Sequence, residues 1–217
     1  MALSPEFKSR LLAQVREVPA PTRKETLRRQ TWLFAAGLIG ALAIFFIKGG
    51  LRVTARPPSL IALTSLGTAG FVGVGMWLLF TRGPTGLRRP RAVLLGAAVL
   101  STIAFVSWRY GVSAAYGRAG VWPDRIGLRC LGLGVMTGGL MLFAALMSWR
   151  RSEPVTPVST GAAFGAGAGL GSALLIDLWC PVAYVPHLLL GHVLPILILS
   201  VAGGVIGGRV LSLVRKR

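Results

Sequence analysis

The chain has 217 residues, 53% of them hydrophobic and 14% charged, and its 24 Lys and Arg against 6 Asp and Glu give a net charge of +18. A mean hydropathy of +0.68 is too apolar for a soluble domain of this size, and long apolar runs between short basic loops read as a polytopic membrane protein. The positive charge then belongs to loops facing an anionic leaflet rather than to a nucleic-acid surface, and two cysteines without a CxxC exclude a zinc finger or thioredoxin-like motif.

Residues 1–30 form the first unit, a mostly polar cytoplasmic tail. Neither its polarity nor the absence of an A-x-A site after the first apolar run fits a cleavable signal peptide. Ser4 and Pro5 suit a helix start. Phe7, Leu11, Leu12, Val15 and Val18 then fall on one apolar stripe. Lys8, Arg10, Arg16 and Glu17 lie mostly off it, and Pro19 and Pro21 end the helix. Such a helix lies on the inner leaflet or docks its stripe into a partner's groove, and the two are compatible through exchange between lipid and partner.

Residues 31–217 read as an all-α bundle of six transmembrane helices. The expected spans are Thr31–Ile47, Ser59–Thr81, Ala92–Trp108, Cys130–Trp149, Val158–Leu178 and Pro186–Gly207. Seventeen Lys and Arg fall in the N-terminal tail, the loops after spans two and four, and the C-terminal tail. Seven fall in the loops after spans one and three, with Arg109 among them. That bias puts both termini in the cytoplasm. Gly161, Gly165 and Gly169 recur every four residues along span five, as do Gly134 and Gly138 in span four. Gly203 with Gly207, and Gly204 with Gly208, repeat the spacing in span six. Small residues at this spacing let helices approach closely in lipid. The run "GAGAGLG" lacks the spacing and the preceding strand of a nucleotide loop.

The last two spans carry the chemistry. In "LIDLWCPVAYVPHLLLGHVLPI", residues 175–196, an otherwise apolar stretch holds Asp177, Cys180, His187 and His192. Cys130 opens span four at the outer face, and Cys180 lies just beyond span five on the same side. A helical hairpin therefore brings both thiols to similar depth. Three readings stand side by side: a reversible disulfide, a soft or borderline metal on Cys130, Cys180 and His192, or plain packing. His187 and His192, five apart, lie roughly 140° from each other on a straight α-helix. Pro195 is expected to kink the span near Gly191, which changes that relation. Asp177 is a titratable group near hydrocarbon and a functional candidate. Ser172 with His192 would be a rhomboid-like dyad, but no GxSG motif or oxyanion-hole donor accompanies them. No enzyme activity and no cofactor are expected. A small proton-coupled or solute transporter, with Asp177 and His192 as a relay, is the alternative.

The order of these pieces resembles a family. "LRCLGLG" opens span four, "RRSEPVTPVSTGAAFGAGAGLGSALL" follows it, and "CP" closes span five. "GHVLPI" and the terminal "GGVIGGRVLSLVRKR" complete the series. Together they resemble the NrsF-type membrane anti-sigma factors, best over residues 125–217. The resemblance implies a multi-pass protein of the bacterial inner membrane. It implies that the tail binds an extracytoplasmic-function (ECF) sigma factor, which an envelope signal releases. In some relatives the signal is oxidative or heavy-metal stress and two cysteines carry the response; by position these are Cys130 and Cys180. Light-responsive relatives exist as well, so the stimulus does not carry over. The implied partners are the sigma factor and the lipid bilayer, with no direct contact to nucleic acid.

Overall fold

The structure is a computed structural model that describes residues 23–48, 50, 57–80, 89–116, 127–150 and 156–212. Every element among them is helical. They form α1 (Arg23–Ile47), α2 (Pro58–Phe80), α3 (Arg91–Ala115), α4 (Leu128–Ser148), α5 (Pro157–Trp179) and α6 (Val185–Val210). All six are long and apolar enough to cross a membrane. The all-helical, six-helix expectation is met. The tail stripe from Phe7 to Val18 lies outside the described residues.

Two helices overrun the lengths expected from the sequence. α1 begins at Arg23, upstream of Thr31, and closes where the Gly50 N–H reaches the Phe45 carbonyl at 3.0 Å with φ of +56°. Only a residue without a Cβ takes that backbone angle cheaply. α3 continues past Trp108 to Ala115. Its 25 residues span roughly 37 Å, more than the ~30 Å hydrocarbon core. Arg109 therefore sits within a helix and not in the outer loop where the charge count put it.

α5 is the axis of the bundle, and its buried face runs nearly around the helix, from Thr160 to Asp177. That is possible because it is made of Gly and Ala. A Cβ on Gly161 would strike the Gly203 carbonyl, and one on Gly165 the Leu199 carbonyl. One on Gly169 would lie 2.6 Å from the Ile196 Cα. α5 and α6 thus pack backbone to backbone, the arrangement that small residues at i, i+4 permit in lipid. α4 meets the same pair mostly through side chains, although a Cβ on Gly138 would also lie 3.2 Å from the Ala168 carbonyl. Gly134 faces the Ile176 and Pro195 side chains, and Gly138 faces the Leu199 side chain. α2 and α3 pair on the other flank, where Trp108 donates to the Leu63 carbonyl at 3.2 Å.

α1 rests on α4 along Gly37, Ala41 and Phe45, while Trp32, Ile39 and Phe46 on its other faces are exposed. Exposed apolar side chains around the bundle are what a lipid-facing surface requires.

The backbone contact gives a direct prediction. Gly165→Val places a branched side chain where only backbone fits. Overpacking of this kind costs about 1–3 kcal/mol, occasionally more. Unfolding in mixed micelles should begin at distinctly lower denaturant, while Gly139→Ala, which meets nothing within 4 Å, should leave the midpoint in place.

Candidate metal and thiol site

The site is assembled from three segments at one end of the bundle. Each is placed by a local sequence rule. Gly127 caps α4, and Cys130 is the third residue of that helix. Cys180 ends α5: its N–H still bonds the Ile176 carbonyl at 2.7 Å, but φ −91° and ψ 119° turn the chain out of the helix. The cause is Pro181, whose ring disfavours helical ψ in the residue before it. Residues 180–184 then cross to α6, where Pro186 sits in the first turn and tolerates its missing N–H.

α6 is not a uniform α-helix. Val185–Leu188 is α-helical, Leu189–Val193 is π-helical, and Leu194–Val210 is α-helical again. The Leu194 N–H reaches back five residues to the Leu189 carbonyl. Pro195 explains the widened turn, because its ring would clash with the Gly191 carbonyl and it offers no N–H. Gly191 allows the wider turn to nestle on α4: a Cβ there would lie 2.8 Å from the Cys130 Cβ. A π-turn brings residues five apart onto one face. His187 and His192 accordingly face each other, with ring centroids 5.9 Å apart. The 140° separation of a straight helix does not hold here.

The result is a closed cluster. The His187 Nε2 is 3.2 Å from the Cys180 Sγ and 3.5 Å from the Cys130 Sγ. One ligand atom from each of Cys130, Cys180, His187 and His192 lies within 4.8 Å of all the others, and all four residues are buried. Both thiols are free. His192 is fully buried and stacks on Phe105 at 5.8 Å between centroids. Neither of its ring nitrogens has a hydrogen-bond partner among the described residues, and neither does the His187 Nδ1. Buried imidazole nitrogens without partners are costly and require an explanation. Two sulfur and two nitrogen donors converging from three segments fit a tetrahedral ion such as Zn²⁺, Cd²⁺ or Co²⁺.

Beside the cluster lies a feature absent from the sequence reading. Arg109 is fully buried; its Nε pairs with the Asp177 Oδ1 at 2.6 Å and its Nη2 donates to the Cys180 carbonyl at 2.6 Å. Asp177 is fully buried too. It belongs to this ion pair and is not among the four ligand groups. Ser172 donates to the Gly169 carbonyl at 2.8 Å, so the dyad with His192 does not form.

A family model for NrsF, negative regulator of sigma F, matches residues 13–212. The chain belongs to the NrsF family. Comparison with curated proteins and with solved structures gave no match. The NrsF match spans all six helices and every residue of the cluster. It begins inside the tail stripe, so Val15 and Val18 fall within it and Phe7, Leu11 and Leu12 precede it. The family is one of regulators, and its named target is a sigma factor.

Of the residues expected to sense a signal, Cys130, Cys180, His187 and His192 meet at one site, and Asp177 borders it. Arg109 had a legible signal as well. It continues the stripe Ser101, Phe105, Arg109 at i, i+4, i+8, whose other members are buried core positions.

Proposed function

We propose that this multi-pass NrsF-family protein holds an ECF-type sigma factor at the bacterial inner membrane and releases it when an envelope signal reaches the Cys130–Cys180 site. The tail, residues 1–30, binds the sigma factor through Phe7, Leu11, Leu12, Val15 and Val18. Both termini are cytoplasmic, and the thiol site lies at the outer end of the bundle. The protein acts by binding and release, without a reaction of its own.

One observation carries the sensing reading: four soft-ligand atoms meet within 4.8 Å in a buried site where both His192 ring nitrogens and the His187 Nδ1 have no hydrogen-bond partner among the described residues. A divalent soft metal would be held by Cys130, Cys180, His187 and His192. It would displace the two thiol protons, since only thiolates ligate well. A two-electron oxidant would act on the same pair by removing two electrons and two protons to close a disulfide. Either event draws Cys130 toward Cys180.

The packing favours a particular moving part. α5 and α6 interlock through backbone at Gly161, Gly165 and Gly169, whereas α4 meets them mostly through side chains, with backbone close at Gly138 against the Ala168 carbonyl and at the Gly127 cap against Gly191. α4 is therefore the less interlocked of the three helices at the site, and α1 rests on it. The Arg29 and Gln30 side chains reach the Ser148 carbonyl at the far end of α4, each at 3.5 Å. A displacement of α4 thus reaches the last residues of the tail. Small shifts become switches when the elements have two discrete packings.

The test is co-purification. The tagged chain, gently solubilised and kept reduced, should bring down a small sigma factor in stoichiometric amount, identified by mass spectrometry. Removing residues 1–30 should abolish the association. A folded, reduced protein that retains no sigma factor would overturn the reading and return weight to a transporter.

A further inference from the structure

We infer that Arg109 is the positioning residue of the sensor: bridging Asp177 and the Cys180 carbonyl, it fixes the point at which Cys180 leaves α5 and so aims its thiol at Cys130 and His187. This rests on the reading of the cysteine site as the sensor, and it extends the site to α3.

The end of α5 needs a partner from outside the helix. The last carbonyls of a helix have no partner within it. Pro181 has no N–H and turns the chain away, so no Schellman-type bond closes this end. The Cys180 carbonyl instead accepts from Arg109, a residue on a different helix. A cation at a helix C-terminus is also favoured by the helix dipole. Asp177 lies one turn before Cys180 on the same helix and is ion-paired with the Nε of the same guanidinium at 2.6 Å. Two adjacent anchors, one on the side chain and one on the backbone, define the exit of the chain from α5. The planar guanidinium sets its Nη2 donor on the carbonyl and its Nε edge against the carboxylate in one fixed geometry, which a lysine ammonium does not.

The expense of the arrangement supports a purpose. Both side chains are fully buried in a helix bundle built to sit in lipid. Charges there are costly and mark functional sites by default. Phe105 strengthens the link, because it lies one turn before Arg109 on α3 and stacks on His192. One face of α3 therefore holds two of the four ligand residues in place, Cys180 through its carbonyl and His192 through its ring. Groups that orient metal ligands from behind alter affinity by about 10- to 100-fold when changed.

The test uses the full chain in lipid nanodiscs, with Co²⁺ as the metal probe and diamide as a thiol oxidant. Co²⁺ binding is read from its thiolate charge-transfer absorption, and disulfide closure from the loss of alkylatable thiols. Two variants are compared. Arg109→Lys keeps the charge but lacks the fork. Arg109→Gln with Asp177→Asn removes both charges together, so no uncompensated ion stays buried. Both are expected to weaken Co²⁺ binding about 10- to 100-fold and to slow disulfide closure, with six-helix content unchanged.

Variants that fold, bind Co²⁺ as tightly and close the disulfide as fast as the unaltered chain would overturn the role of Arg109. A neutral double variant that fails to fold would also overturn it, by showing that the pair maintains the whole bundle rather than Cys180. If the unaltered chain takes up no Co²⁺, the metal reading of the site fails by itself. The rate of disulfide closure then decides the role of Arg109 alone.

Discussion

Changing both Cys130 and Cys180 to Ser should leave the sigma factor bound under every oxidant and soft metal that releases it from the unaltered protein. The two thiols supply half of the four ligand atoms at the site, and no other cysteine exists in the chain. Serine has nearly the same shape, so the packing of α4 on α5 and α6 is preserved. It neither forms a disulfide nor binds soft ions well. Structural Zn²⁺ sites provide about 10–16 kcal/mol. Losing half of the donors therefore removes roughly 5 kcal/mol, a drop in affinity of at least ~10³-fold. Cd²⁺ titration of the purified double variant measures the first effect. Transcription from a sigma-dependent promoter during metal and oxidant challenge measures the second. A variant that still releases the sigma factor normally would remove the cysteines from the mechanism.

The opposite phenotype is expected at the other end of the chain. Leu11→Asp should release the sigma factor permanently, without any signal. Leu11 lies within the apolar stripe Phe7, Leu11, Leu12, Val15 and Val18. A central apolar anchor in a helix-in-groove contact carries a large share of the binding energy. Burying a carboxylate there without a partner adds a desolvation cost. Together these amount to about 2–4 kcal/mol, a loss of roughly 30- to 1000-fold in affinity. The promoter should then be as active as in cells lacking the protein, while the variant remains in the membrane fraction in normal amount. Arg10→Asp, off the stripe, is the matched control for charge. Sequestration unchanged by Leu11→Asp would move the sigma contact away from this helix.

The two variants separate input from output. One blocks the response and the other makes it constitutive. Combined, they should behave like Leu11→Asp, because release at the tail lies downstream of the site.

Much of this was legible in the residue pattern. Hydropathy alone determines the membrane class, because an apolar run of some 20 residues without charges has few other places to go. The helix count follows from the same rule. The glycine spacing in spans five and six marks the contact that became the backbone-to-backbone seam of α5 and α6, since only small residues at i, i+4 allow it. The common depth of Cys130 and Cys180 follows from hairpin arithmetic, since both lie a similar distance in sequence from the turn between α4 and α5. The local kinks are legible too: Pro181 forces Cys180 out of the helix, and Pro195 disturbs α6 near Gly191.

The tertiary structure decided the rest. Counting charges assigns every arginine to a loop, because an isolated cation in hydrocarbon is prohibitive. Arg109 evades that rule only through Asp177 and the Cys180 carbonyl, partners from a helix distant in sequence. Likewise, five-residue spacing on an ideal helix keeps His187 and His192 apart. They meet because the turn around Gly191 widens to a π-helix that fits against Gly127 and Cys130. Local sequence determines what each helix is, since its hydrogen bonds close within itself. Which buried polar groups find one another depends on neighbours brought by other helices, and that is a property of the assembled bundle.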